Sequence, residues 1–340
     1  MARLLRRRLV SLPVVLVGMS LITFALTHLV PGNPARLLAG PHASAAQVAQ
    51  LRHQYGLDQS LPAQYWTYMS DLLHGDLGMS ITTRRPVAAD LGQFFPATVE
   101  LTVAAMLIVV LVGLPLGLLG GLVKGRLPDH AIRLFSISAV SMPVFWLGIV
   151  LQIVFYEKLN VLPASGRIDA LSIPPAHVTG LYSVDSLLAG DLSAFRSSLA
   201  HLVLPAVTLA AGSLAVVTRM MRASVIDTSE SDHLRAAEAK GLGRALIVRR
   251  HVVRNAVLPV TTVIGLQVGT LLAGSVLTEV VFSWPGIGLY AVDAIENLDY
   301  AAIMGVTLLI SGIYVLVNLA VDLAYLVLDP RIADAQEATT

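Results

Sequence analysis

Six apolar runs decide most of what this chain can become: residues 9–30, 97–123, 131–156, 199–221, 258–282 and 301–328. About 20 apolar residues cross the hydrocarbon layer as a helix, and every run meets that length. Within lipid no water satisfies backbone N–H and C=O groups, so such runs fold as helices. Composition agrees, because 55% of the residues are hydrophobic and 13% charged, against about a quarter charged in soluble domains. The predicted fold class is an all-α membrane protein with six transmembrane helices. The run 9–30 follows Arg3, Arg6, Arg7 and Arg8, but it exceeds the roughly 7–15 apolar residues of a cleaved signal and is expected to be retained.

An even number of spans puts both termini on one side, and the basic residues choose it. Arg3, Arg6, Arg7 and Arg8, then Lys124, Arg126 and Arg133, eight more between Arg219 and Arg254, and finally Arg331 all fall on one side of the six-span layout. Seven of the 23 Lys and Arg residues remain for the other side. Basic loops stay in the cytoplasm, so both termini are expected there, in a bacterial inner membrane. The chain then divides into residues 1–30 with the first span, an extracytoplasmic helical subdomain at 31–96, a core at 97–331 with a cytoplasmic loop at 222–257, and a tail at 332–340.

Local signals fill in the outer segments. Ser44-Ala45-Ala46-Gln47 has capping-box spacing ahead of a helix that Gly56 can close. Ser60 and Pro62 open a second helix that runs toward Gly75. The segment 160–198 carries Pro163, Gly166, Pro174 and Pro175 and reads as loop, with a short helix near 186–188. Pro115, Pro143 and Pro205 lie inside spans, where they kink helices. Gly113, Gly117, Gly120 and Gly121 allow neighbouring helices to approach closely.

Several chemistries have no residues to carry them. Cys is absent, which excludes disulfides, thiolate metal sites and Cys nucleophiles. No phosphate-cradling GxxxxGK[ST], HExxH or GxSxG pattern occurs. The nine His residues show no ligand spacing. The scattered basic residues form no nucleic-acid patch. No catalytic residue, metal site or bound cofactor is therefore expected, and any nucleotide would sit on another polypeptide. Polar groups at membrane depth remain as pathway candidates, namely Gln152, Gln267 and Asn318. Asn318 shares a helix face with Asp322, one turn on, and Glu279 closes the fifth run. Structural pairing is the simpler reading of the two carboxylates.

Between the fourth and fifth runs lies a charged, helix-prone island. Asp232, Leu234, Arg235, Ala236, Ala237, Glu238, Ala239 and Lys240 lead to Gly241 and Gly243. Strong helix formers followed by glycine predict a short helix that ends in a sharp turn, then a second helix that re-enters the membrane at Pro259. A solvated basic loop would explain the charges but not the placement of Ala and Gly, whereas a helix seated in a partner's groove uses both.

The island resembles the EAA loop of binding-protein-dependent ABC importer permeases. The matching residues are Arg235 to Leu242, His251, Arg254-Asn255 and Leu258-Pro259. It is most similar to the dipeptide/oligopeptide branch, as the first of two permease subunits. Thr23-Phe24, Pro31 to Pro34, Gly75 to Ser80 with Pro86-Val87, Ala97 to Leu101 and Ser141 to Trp146 extend the likeness along the chain. So do Leu162 to Arg167, Phe282 to Gly288, Asp299-Tyr300 and Asp329 to Arg331. The resemblance implies a type I importer fold, a second permease subunit, one or two ATPase subunits that bind ATP and Mg, and an extracytoplasmic solute-binding protein. It implies that Asp232 and Leu234 through Gly241 dock on the ATPase. Glu238 stands where the branch commonly has a basic residue, and Leu289 where Arg is common. Nickel-chelate and glutathione importers share the pattern. A channel or receptor that used the island as a signalling dock is the rival from another class.

Overall fold

The computed structural model describes residues 13–25, 34–39, 43–54 and 56–328. The arginines before residue 13, the ends of the first run, Pro31 to Asn33, Asp329 to Arg331 and the tail lie outside the described residues, as do the side chains of His233 and Asp322. In chain order the helices are α1 Pro13–Ala25, α2 Pro34–Ala39, α3 Ala45–Gln54, α4 Leu61–Leu73, α5 Val87–Leu122, α6 Leu127–Ser141, α7 Val144–Lys158, α8 Tyr182–Leu188, α9 Leu192–Ser229, α10 Asp232–Ala239, α11 Arg244–Val281, α12 Ile287–Glu296 and α13 Tyr300–Leu328. Among the described residues, α5, α9, α11 and α13 are long and apolar enough to cross a membrane.

Within one expected span the helix is broken rather than kinked. The run 131–156 is not continuous, because α6 and α7 meet at a bend of 107° around Met142 and Pro143. Pro143 lacks a backbone donor and sits at φ −58°, ψ 135°, while Met142 before it is extended at φ −85°, ψ 129°. Proline pushes its predecessor out of the helical region, so α6 stops there and α7 starts afresh. Pro115 acts more gently. The turns just before it, Val109–Gly113, widen to a π-helix, which makes room for a ring that would otherwise strike the carbonyl one turn back.

By contacts the chain forms two compact units. The first joins the described part of residues 1–96 to 286–316. Its outer helices form as the local signals predict. At the start of α3 the Ser44 hydroxyl accepts from the Gln47 N–H at 3.3 Å, and Gln47 Oε1 accepts from the Ser44 N–H at 2.9 Å. Gly56 closes the turn at φ +62°, and Gly75 follows α4 at φ +81°. The tyrosine face of α4 packs on α1, with the Phe24 and Tyr65 ring centres 5.3 Å apart. Asp299 caps α13 by accepting from the Ala302 N–H at 3.1 Å. It also takes the Ser80 hydroxyl at 2.6 Å, which fixes the Gly78 turn to that helix. Val87, Leu91, Ile287, Tyr290 and Val306 form this unit's apolar core.

The second unit, residues 97–285 with the described part of 317–340, is organised on α9. At 38 residues and about 1.5 Å per residue, α9 is nearly twice the thickness of the hydrocarbon layer. Its apolar positions Leu209, Leu214, Val217, Met221 and Val225 are buried with Leu101, Val109, Val260 and Leu271. Gly113, Gly117 and Gly121 on α5 recur every four residues and face it. A Cβ built at Gly117 would lie 2.6 Å from the Thr218 carbonyl oxygen, and one at Gly121 would lie 2.5 Å from Val225 Cγ1. Only glycine permits this approach.

Candidate functional site

The island folds as two linked helices. Ser231, extended at φ −76°, ψ 148°, precedes α10. Ala236, Ala237 and Ala239 are strong helix formers and sustain its eight residues. At the far end Gly241 adopts φ +76°. Its N–H donates to the Glu238 carbonyl at 2.9 Å, and the Leu242 N–H donates to the Ala237 carbonyl at 3.4 Å. These paired bonds use up carbonyls that the helix end leaves free, and glycine supplies the left-handed residue they need. Gly243 is extended, at φ −65°, ψ 142°, and its carbonyl accepts from Leu246 and Ile247 as α11 begins. From there α11 runs unbroken through Pro259 to Val281, with a π-helical turn at Val248–Val252.

The short helix has two faces. Leu234 and Ala237, three residues apart, are 4% and 7% exposed and join the core around Met221, Val225 and Val252. Asp232, Arg235, Ala236, Glu238, Ala239, Lys240 and Gly241 are exposed. The sequence placed Ala237 beside Ala236 and Ala239 on a partner-facing surface, but its methyl group is buried within this chain. What faces outward is two alanines ringed by charges of both signs. Arg235 leans toward Asp232, with N–O at 3.4 Å. Beside the helix is a cavity of about 500 Å³, lined by Lys124, Glu230, Glu238, Arg244, Ile247 and neighbours. Across its rim Lys124 donates to Glu230 at 2.7 Å. That bond holds the Glu230 carboxyl below the usual carboxylate range.

The three pathway candidates have different surroundings. Gln152, half-buried at the start of the π-wound end of α7, donates both amide hydrogens: to the Ala164 carbonyl at 2.8 Å and the Val281 carbonyl at 3.1 Å. It ties α7 to a loop and to α11. Gln267 and Asn318 are half-buried on α11 and α13. Glu279 is fully buried and accepts from the Thr98 hydroxyl at 2.7 Å, which bears out structural pairing for this carboxylate.

A polar centre that spacing alone does not reveal joins three of the motif stretches. Arg167 and Glu100 are each buried, with Arg167 Nη2 2.5 Å from Glu100 Oε2. The guanidinium also donates to the Gly180 carbonyl at 2.9 Å and lies over the Tyr182 ring at 3.8 Å and the Trp284 ring at 5.5 Å. Glu100 Oε1 accepts from the Ser183 N–H and hydroxyl. Trp284 donates its indole N–H to the Ala97 carbonyl at 2.8 Å. The signal available in sequence was a charge at Glu100, in the opening of an apolar run, and another at Arg167, in the loop segment 160–198, but nothing pairs residues 67 apart without a fold. Next to it, burial works against the charged form of Asp185, yet bonds from Thr179, Gly180 and Val178 outweigh it and lower its pKa.

Two family models cover this arrangement almost end to end. Residues 113–334 match "Binding-protein-dependent transport system inner membrane component". Residues 1–102 match "Binding-prot-dependent transport system membrane comp, N-term". The chain is 48% identical over 329 residues, 97% of each protein, to the probable D,D-dipeptide transport system permease protein DdpB of Escherichia coli strain K12. It is 40% identical over 326 residues, 96% of this chain and 98% of the relative, to the dipeptide transport system permease protein DppB of Alkalihalophilus pseudofirmus. It is 38% identical over 326 residues, 96% and 97%, to the glutathione transport system permease protein GsiC of Escherichia coli O6:H1.

Proposed function

This chain belongs to the family of inner membrane components of binding-protein-dependent transport systems, and from that premise we propose that it is the permease subunit of an ATP-driven importer of dipeptides or oligopeptides. The observation that carries the cargo is end-to-end similarity to two permeases named for dipeptide transport, at 48% and 40% identity. The 38% identity to a glutathione permease favours glutathione, itself a small peptide, as the second reading.

In this reading a second permease chain completes the pathway, one or two cytoplasmic ATPase subunits bind ATP and Mg, and an extracytoplasmic binding protein delivers the solute. Both termini and α10 lie in the cytoplasm, and residues 31–96 lie outside. The exposed Arg235, Ala236, Glu238, Ala239 and Lys240 seat against the ATPase, with Asp232 and Gly241 at the edges. Leu234 and Ala237 supply the other half of the joint by fixing α10 to the permease core. Closure of the ATPases on ATP pulls α10, and the pathway opens outward to receive solute. The pull does work only if α10 contacts differ between the two states, since equal binding in both would shift nothing.

Uptake by proteoliposomes containing the complex of co-expressed subunits tests this. Alanyl-alanine in L,L and D,D forms, and glutathione, are supplied with the binding protein. Accumulation of a dipeptide that requires internal ATP supports the proposal. Accumulation without ATP, or of glutathione alone, rejects it or its cargo.

A further inference from the structure

We propose that the pair of half-buried Arg222 and buried Asp129 is the strut that carries movement of α10 into the bent pair α6–α7, making both positioning residues for transport. The inference rests on the importer reading above. Asp129 lies in the first turn of α6 and is 1% exposed. Its Oδ1 accepts from Arg222 Nε at 2.5 Å, and its Oδ2 accepts from Arg222 Nη2 at 2.8 Å and from the Gly125 N–H at 2.9 Å. The carboxylate is thus gripped by a two-pronged fork from α9 and by the turn leading into its own helix. The stem of Arg222 passes over Gly120 of α5, where a Cβ would stand 3.5 Å from Arg222 Cδ and 3.6 Å from Ile132 of α6.

Arg222 stands on the last two turns of α9, directly before α10. Any displacement entering through Leu234 and Ala237 reaches these turns first, because those side chains share a core with Met221 and Val225. Toward α5 and α6 the described residues offer three routes from this point, while the bond that the Ser224 hydroxyl donates to the Ala256 carbonyl at 2.9 Å leads instead to α11. The glycine seam to α5 is an apolar contact, and packed ridges can slide over one another. The Lys124–Glu230 bridge is exposed at both ends, 56% and 65%, and such pairs are screened and weak. The Arg222–Asp129 fork resists rotation as well as separation, because a planar guanidinium meets a carboxylate along two parallel bonds. It is the one of the three that transmits torque, and it delivers it to α6, whose far end is the 107° bend at Pro143.

The test uses the whole complex in proteoliposomes and reads two quantities: the ATP hydrolysed per alanyl-alanine imported, and the thermal stability of the complex. Arg222→Lys keeps the charge and loses the fork. ATP hydrolysis is expected to persist, while ATP spent per dipeptide rises roughly 2- to 30-fold, the range for residues that carry coupling without touching either ligand. Asp129→Glu, which keeps both charges and moves the carboxylate by one methylene, is read in the same way if the lysine variant does not assemble. Exchanging the pair, Asp129→Arg with Arg222→Asp, is expected to bring the ratio back toward wild type. A ratio unchanged in both conservative variants, with uptake falling only in proportion to the amount of folded complex, overturns the strut and leaves a merely stabilising pair. If wild type shows no ATP-dependent uptake, the importer reading fails instead.

Discussion

Gly117→Ala puts one methyl group where the structure leaves no room for it. The new Cβ would lie 2.6 Å from Met221 Cβ and 2.6 Å from the Thr218 carbonyl oxygen, whereas ordinary contact begins at 3.4 Å. Neither obstacle can turn aside, since one is backbone and the other is the first atom of a side chain. Helices α5 and α9 must therefore part by about 0.8 Å here, and a gap of that size forfeits a quarter to a half of each neighbouring contact. Overpacking of this kind costs about 1–3 kcal/mol. For a body of roughly 150–250 residues, 1 kcal/mol moves the midpoint by about 2–4 °C, so Tm should fall by roughly 2–12 °C. Gly120→Ala, one turn face away, is the control: its Cβ meets the flexible Arg222 stem at 3.5 Å and Ile132 Cδ1 at 3.6 Å, both at ordinary contact distance, and alanine favours a helix interior by up to about 1 kcal/mol over glycine. Thermal unfolding of both purified variants decides the matter. A Gly117→Ala protein that melts with wild type, or a Gly120→Ala protein equally destabilised, would refute the close approach.

Further outcomes follow from the polar centres. Arg167→Ala strands a buried carboxylate at Glu100 and should cost about 3–5 kcal/mol, read as lost yield and lowered Tm; a change under 1 kcal/mol would contradict the pairing. The Asp185 pKa is lowered by folding, so its contribution is complete above the ordinary carboxylate range and fades as pH falls through the lowered value. Hydrogen exchange in residues 178–185 should therefore stay protected from neutral pH down to about pH 4 and loosen below it, while Asp185→Asn loosens the segment at every pH; loosening between pH 7 and 5 would assign the protection to another group. Asp299→Ala removes the cap of α13 and the tie to Ser80, for a cost of about 1–2 kcal/mol that Ser80→Ala should show only in part.

These centres mark where the sequence stops being readable. The spans at 97–123, 199–221, 258–282 and 301–328, the capping box at Ser44, the turn at Gly56 and the left-handed Gly241 are local: each depends on nearby residues, and each forms as those residues dictate. The bend at Pro143 is different, because an apolar run reads the same whether proline kinks a helix or ends it. Ala237 and Ala239 have the same side chain, and only the register of an eight-residue helix against α9 decides which one is buried. Gln152 invited a pathway role because it is polar at membrane depth, yet it spends its donors on two carbonyls brought close by folding. Pairs such as Arg167 with Glu100, or Arg222 with Asp129 across 93 residues, exist only once α9 has gathered the other helices.

Cysteine scanning of α10 tests the central claim most directly, since the chain has no native Cys to confuse it. Thiols introduced at Ala239 and at Ala237 in the assembled complex are challenged with a short bifunctional cross-linker in sealed inside-out vesicles. The account predicts that Ala239→Cys captures the ATPase subunit, with a yield that changes when ATP is added, while Ala237→Cys does not. Capture from the opposite face of the membrane, or no ATPase in contact with Ala239 in either nucleotide state, would contradict it.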